Sequence, residues 1–191
     1  MTGTLRLKLA HSLEDQFHDF INAIEGWKVL PFGHRFSDQY LHGQLVKITQ
    51  NKLNQANFSF LPWFNDYQAR MQELGGFPAF IRWDPDCLLS HQNKPVFFAE
   101  IKGGQNGYPN WAIEASGLIA ATMNSKRLGI PQLMVFGSDA NTWGALSIEA
   151  LLGVPMRFHS GENAAGSKTP FLTFSKTHVP SINTYMGTYQ P

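Results

Sequence analysis

The stretch RWDPDCLLSHQNKPVFFAEIKGG, residues 82–104, decides the fold and poses the chemical question. It sets Asp84 and Asp86 before a polar turn, HQNK, and then places Glu100 and Lys102 inside an apolar run. Val96, Phe97, Phe98 and Ile101, bounded by Pro95 and by Gly103–Gly104, predict a strand. The residues of HQNK predict a turn, so the two flanking segments form a hairpin, the first interrupted near Pro85. Strand side chains alternate faces, which projects Glu100 and Lys102 together. The hairpin would also bring the aspartates near Glu100. Carboxylates crowded in this way repel, and burying them costs on the order of several kcal/mol unless they are paired or bind a metal.

An all-oxygen donor set with open positions suits Mg²⁺ or a similar hard cation. Lys102 beside such an ion would stabilise charge or help deprotonate a water. Together these parts describe metal-assisted attack of water on a phosphodiester. The plain alternative is a cross-strand salt bridge on an edge strand. The density of apolar residues in VFFAEIK argues instead for a central strand.

Upstream, SLEDQFHDFINAIEGW predicts a helix over 12–25, with Leu13, Phe17, Phe20, Ile21 and Ile24 on one stripe. Ser12 is its expected cap, Asp15 its capping-box acid, and Gly26 its end. Glu14 falls on the flank of the stripe, where it would reach the edge of a buried site or act as a helix N-terminal acid. WKVLPF predicts a short strand. Residues 34–78 read as an insertion with a helix in PWFNDYQARMQELGG, Pro62 in its first turn and Gly75 past its end.

Downstream, NWAIEASGLIAATMNSKRLG predicts a buried helix capped by Asn110 and ended by Gly129, which puts Glu114 one turn inside it. IPQLMVFG predicts a buried strand, SIEALLG a short helix and FLTFS a last strand. From about 176 the chain reads as an irregular tail. Arg157, His159, Lys168, Lys176 and His178 gather near it with Glu162 as the local acid, a composition that suits contact with phosphates or a solvated tail.

At this point PD at 85–86 and EIK at 100–102 resemble the PD-(D/E)XK nuclease superfamily. The expected order also matches its core: helix, strand, Asp strand, Glu-x-Lys strand, helix, strand. The resemblance covers about two-thirds of the chain, leaving the 34–78 insertion and the tail outside it, and implies an α/β fold, a mixed central β-sheet flanked by helices, restriction-endonuclease-like. It implies that Asp86 and Glu100 bind the metal, that the carbonyl of Ile101 is a further ligand, and that Lys102 is the catalytic lysine. Glu14 would be the added acid of the first helix, and Asp84 would assist or replace Asp86. Glu114, one turn into the downstream helix, is a candidate to approach the site. Gln105, Asn106 and Tyr108 are candidate nucleic-acid contacts.

The implied function is a Mg²⁺-dependent endonuclease on DNA, with Mn²⁺ able to substitute, leaving a 5′-phosphate and acting as a homo-oligomer. A junction-resolvase-like nuclease and a catalytically silent nucleic-acid-binding protein of the same fold are the alternatives.

Composition narrows the field further. The 191 residues carry a formal charge of +1, so no partner is favoured by global electrostatics. One cysteine excludes an intrachain disulfide and a Cys-rich zinc site. No His pair has metal-site spacing, and neither a phosphate-binding GxxxxGK[ST] loop nor a GxSxG elbow occurs. No stretch reads as a signal segment or a membrane span, and an intracellular protein is the expectation.

Overall fold

The computed structural model describes residues 3–31, 48–49, 58–75, 80–81, 85–103, 108–139, 142–161 and 169–188. Its helices are α1 (Gly3–Asn22), α2 (Phe64–Glu73), α3 (Ala115–Leu128), α4 (Ile148–Leu152) and α5 (Asn183–Met186). Its strands are β1 (Trp27–Pro31), β2 (Ile48–Thr49), β3 (Phe80–Ile81), β4 (Cys87–His91), β5 (Lys94–Gly103), β6 (Asn110–Glu114), β7 (Gln132–Asp139), β8 (Thr142–Ser147), β9 (Arg157–His159) and β10 (Phe171–Ser175).

The architecture is a mixed α/β one, with a central five-stranded sheet in the order β1-β4-β5-β7-β8. β5 and β7 are parallel, joined through α3, while β1-β4, β4-β5 and β7-β8 are antiparallel. Helix, strand, Asp strand, Glu-x-Lys strand, helix and strand therefore follow in the order the sequence predicts. The expected hairpin is present and turns on two residues, Gln92 (φ 49°) and Asn93 (φ 64°). Two successive left-handed residues make the type I′ turn that matches strand twist. A bulge follows, because Leu89 faces Phe97 while Ser90 faces Pro95, leaving Val96 as the extra residue.

Both faces of this sheet are covered. Phe97, Ala99 and Ile101 of β5, with Leu133 and Val135 of β7, share a core with Phe17 and Ile21 of α1. Met134 and Phe136 point the other way, into a core with Leu118, Ile119 and Ala121 of α3 and with Tyr67 of α2. Strands apolar on both faces are what a central position demands.

Several elements differ from expectation. α1 begins at Gly3, so Ser12 lies inside it and accepts from Gln16 Nε2 at 3.3 Å instead of capping its start. A helix that starts nine residues earlier leaves neither Ser12 nor Asp15 a capping role. Residues 110–114 are not the first turn of a helix but strand β6, and α3 starts at Ala115 with Glu114 as its N-cap residue. β6 alternates, with Trp111 and Ile113 buried and Asn110, Ala112 and Glu114 exposed. It joins β10 and β9 in a second sheet, ordered β6-β10-β9. Gly129 ends α3 in the left-handed conformation, as expected.

The tail is more structured than its composition suggests. Residues 176–178 form a 3-10 turn and α5 follows, with Ile182 and Met186 buried in the α1-side core. The tail also seals the β8 border of the central sheet. Ala145 N donates to Pro180 O at 3.0 Å, Ile182 N donates to Trp143 O at 3.0 Å, and Ser181 bridges Gly144. At the opposite border, Val29 N of β1 donates to Asn22 Oδ1 at 3.0 Å. Of the expected 34–78 insertion, residues 48–49 and 58–75 are described; they carry β2, which pairs with β3 just beyond the insertion, and α2, with Pro62 just before α2 and not within its first turn. The rest of that insertion lies outside the described residues.

Candidate active site

β4 begins at Cys87, which faces Ala99 of β5, so Asp86 sits one step beyond the ladder, opposite Glu100. Directly opposed residues of an antiparallel pair project to the same face. Because β4 has ended, the N–H of Ile101 has no strand partner on that side, and Asp86 Oδ2 accepts it at 2.7 Å. In such a ladder a residue turns its N–H and its C=O to the same neighbour. The carbonyl of Ile101 therefore also lies on the Asp86 side.

Glu100 is 5% exposed, and its Oε1 accepts from Lys102 Nζ at 2.6 Å. The two side chains share a face because they are two residues apart on a pleated strand. Glu100 Oε2 is buried and has no hydrogen-bond partner. Burial first, then the nearby carboxylates of Asp86 and Glu14, push the Glu100 carboxyl up from 4.5 to about 8, with Lys102 opposing. Burial works against the Lys102 charge, but the carboxylates of Glu100, Asp86 and Glu114 hold its pKa above the ordinary value. The sequence-predicted trio is thus gathered at the mouth of β4 and β5.

Glu14 belongs to the same electrostatic neighbourhood. It lies within α1 and is 6% exposed, so the helix N-terminal role does not apply. Leu13 beside it meets β5 directly, since a Cβ on Gly103 would sit 3.1 Å from its Cδ2. Glu114, moved from a helix turn to the α3 N-cap, is exposed. Tyr108 is 63% exposed, placed to offer a ring rather than fill a core. Trp111 is packed in the core beneath Lys176, whose Nζ lies 4.5 Å from its ring centroid. Asp84, Gln105, Asn106, Glu162 and Lys168 lie outside the described residues.

Among the described residues, no group of three His, Cys, Asp or Glu side chains is gathered as a ready-made metal cage. The arrangement that is present offers two carboxylates, a backbone carbonyl and one buried carboxylate oxygen without a partner. An orphaned buried oxygen is costly as it stands, and a cation is one group that would satisfy it. An incomplete oxygen set suits Mg²⁺, which keeps several waters and takes one or two carboxylates plus substrate phosphate oxygens. The residues fit a hard divalent cation.

No family model matches the chain, and no curated protein matches it. Among solved structures, it is similar to a Holliday junction resolvase from the archaeal hyperthermophile Archaeoglobus fulgidus. That likeness has 10% identity and a TM-score of 0.37, over 56% of this chain and 75% of that one. The chain is also similar to a nuclease from a fusselovirus, with 11% identity and a TM-score of 0.40, over 98% of this chain and 90% of that one. In its motif and in the order of its elements, the chain resembles PD-(D/E)XK nucleases.

The second sheet is among the features that the sequence did not announce. Its signal was present in NWAIE, where a buried Trp111 and Ile113 alternate with exposed neighbours, a period of two that a helix does not need.

Proposed function

We propose that the protein is a divalent-metal-dependent nuclease that hydrolyses DNA phosphodiester bonds. The observation that carries this reading is the buried, partnerless Oε2 of Glu100, opposite Asp86 and two residues from Lys102. Asp86, Glu100 and the Ile101 carbonyl would hold Mg²⁺, with Mn²⁺ as a substitute. When bound, the cation supplies Lewis-acid polarisation of the phosphate and a more acidic water.

The chain's own residues do the rest. Glu100 has to release its proton before it can ligate, so metal binding displaces that proton. Lys102 enters as a cation and is positioned to stabilise charge that builds on the phosphate oxygens. Asp86 keeps one oxygen on the Ile101 N–H, which fixes the carboxylate against the backbone of β5. Glu14 adds negative charge near Glu100, which would favour a cation at the site. A homodimer would suit cutting of both strands of a duplex.

The test is incubation of supercoiled plasmid with Mg²⁺ or Mn²⁺ and wild-type protein, Lys102→Ala or Asp86→Ala. Metal-dependent nicking that is lost in both variants supports the reading. Equal nicking by all three proteins, or none by wild type across linear, circular, single-stranded and branched DNA, overturns it.

A further inference from the structure

The β6-β10-β9 sheet packs one face on the core; on the other, among the described residues, Glu114, Ala112 and Arg157 are exposed and Phe171, Thr173 and His159 are half-buried. Trp111, Ile113, Leu172 and Phe174 go inward. Register places Glu114, Phe171 and His159 in one transverse row of this outer face, and Ala112, Thr173 and Arg157 in the next. Within the first row the rings of His159 and Phe171 are stacked, with centroids 4.5 Å apart and planes 3° from parallel. His159 Nε2 is 2.8 Å from Thr173 Oγ1, which fixes the imidazole in that stack. Arg157 is exposed beside it.

Burial, then the charge of Arg157, keeps the His159 pKa below its ordinary value. The imidazole is therefore neutral near pH 7 and presents an aromatic rather than a charged edge. An aromatic pair at outward positions does no core packing in this sheet. A stack of two neutral rings with a cation one row away is complementary to a nucleic-acid strand, a base continuing the stack on an outer ring face and a phosphate on the guanidinium.

The row also leads to the active site. Glu114 stands opposite Phe171 in the ladder, and its carboxylate lies near enough to Lys102 to favour the ammonium.

We propose that the outer face of this sheet binds an unpaired segment of the substrate strand next to the cleaved phosphodiester, with a base stacked on His159–Phe171 and a phosphate on Arg157. The location beside the cleaved bond rests on the nuclease reading; binding of the strand does not. Stacking needs an unpaired base, so single-stranded or flapped DNA should be preferred over a blunt duplex.

The experiment is fluorescence anisotropy of full-length protein with a labelled single-stranded oligonucleotide and with the matching blunt duplex, in EDTA to prevent cutting. Wild type is expected to bind the single strand more tightly. Phe171→Leu should weaken that binding roughly tenfold or more, while Phe171→Tyr retains it. Arg157→Ala should weaken it and lower the salt slope by about one phosphate contact. Melting temperatures of the variants control for folding, and Phe171→Tyr keeps the test valid if Phe171→Leu is unfolded.

Single-strand binding that is unchanged in well-folded Arg157→Ala and Phe171→Leu overturns the proposal, even if the protein cuts DNA. Equal affinity of wild type for the duplex does the same. Conversely, platform-dependent binding by a wild type that cuts nothing with Mg²⁺ or Mn²⁺ would sustain this surface and remove the nuclease reading.

Discussion

Glu100 has one oxygen committed to Lys102 and one without a partner, and its carboxyl is held up to about 8. That combination has a thermodynamic signature. Between 4.5 and about 8 the unfolded chain has already released this proton while the folded chain keeps it. The unfolded state then binds fewer protons, so stability falls as pH rises through that window. In EDTA, wild type is expected to lose on the order of a few kcal/mol from this group between pH 5 and 8. Glu100→Gln cannot ionise and should flatten this part of the profile; urea unfolding at a series of pH values measures it.

If the proposed nuclease reading holds, Lys102→Ala removes a cation beside the phosphate and is expected to lower metal-dependent cleavage by at least about a hundredfold. Single-turnover cleavage of a labelled duplex reports it. These residues were legible because EIK in an apolar run fixes both their spacing and their shared face. What the letters did not disclose is that Asp86 bonds the Ile101 amide, since that contact depends on where β4 stops.

At the scale of elements, the parts that were read correctly are those with local causes. The β4-β5 hairpin is set by a two-residue turn and flanking apolar strands, and α3 is ended by a left-handed Gly129. The parts that were missed depend on partners far away in the chain. β6 takes its identity from β10, some sixty residues on, and TWGALS becomes β8 only against β7. Gly137 shows how tight that last pairing is, because a Cβ there would lie 2.2 Å from Cζ3 of Trp143, whose ring is itself wedged against Phe17. Gly137→Ala is expected to destabilise by about 1–3 kcal/mol or more through overpacking, read as a lower denaturation midpoint.

The docked tail is open to a similar check. Ile182 is fully buried in the α1-side core, so Ile182→Ala should cost about 2–5 kcal/mol. An unchanged melting curve would mean that the tail is not packed there.

For the whole molecule, two cores lie on either side of one sheet, the layered arrangement of an α/β chain. Its candidate site was readable as a line of residues, and its second sheet was not, because sheet membership is a property of the assembled chain. If Asp86 and Glu100 hold a cation, the folded state alone binds it, and Mg²⁺ or Mn²⁺ should raise the melting temperature. At a hundredfold excess over Kd the gain is about 2.7 kcal/mol. Asp86→Ala and Glu100→Gln should abolish that gain, and calorimetry with and without metal decides it. Among the described residues, no helix is long and apolar enough to cross a membrane.

The sealed margins of the central sheet have a consequence for how copies of this chain can meet. An unguarded outer strand is a template on which another chain can add its own. Here the residues after β10 lie along one margin, and Asn22 occupies an outward amide of the other, where Pro31 has no amide to give. Continuous ribbons running from molecule to molecule are disfavoured at both limits. A second copy would therefore meet this one elsewhere than at the margins of the five-stranded layer, leaving each such layer self-contained.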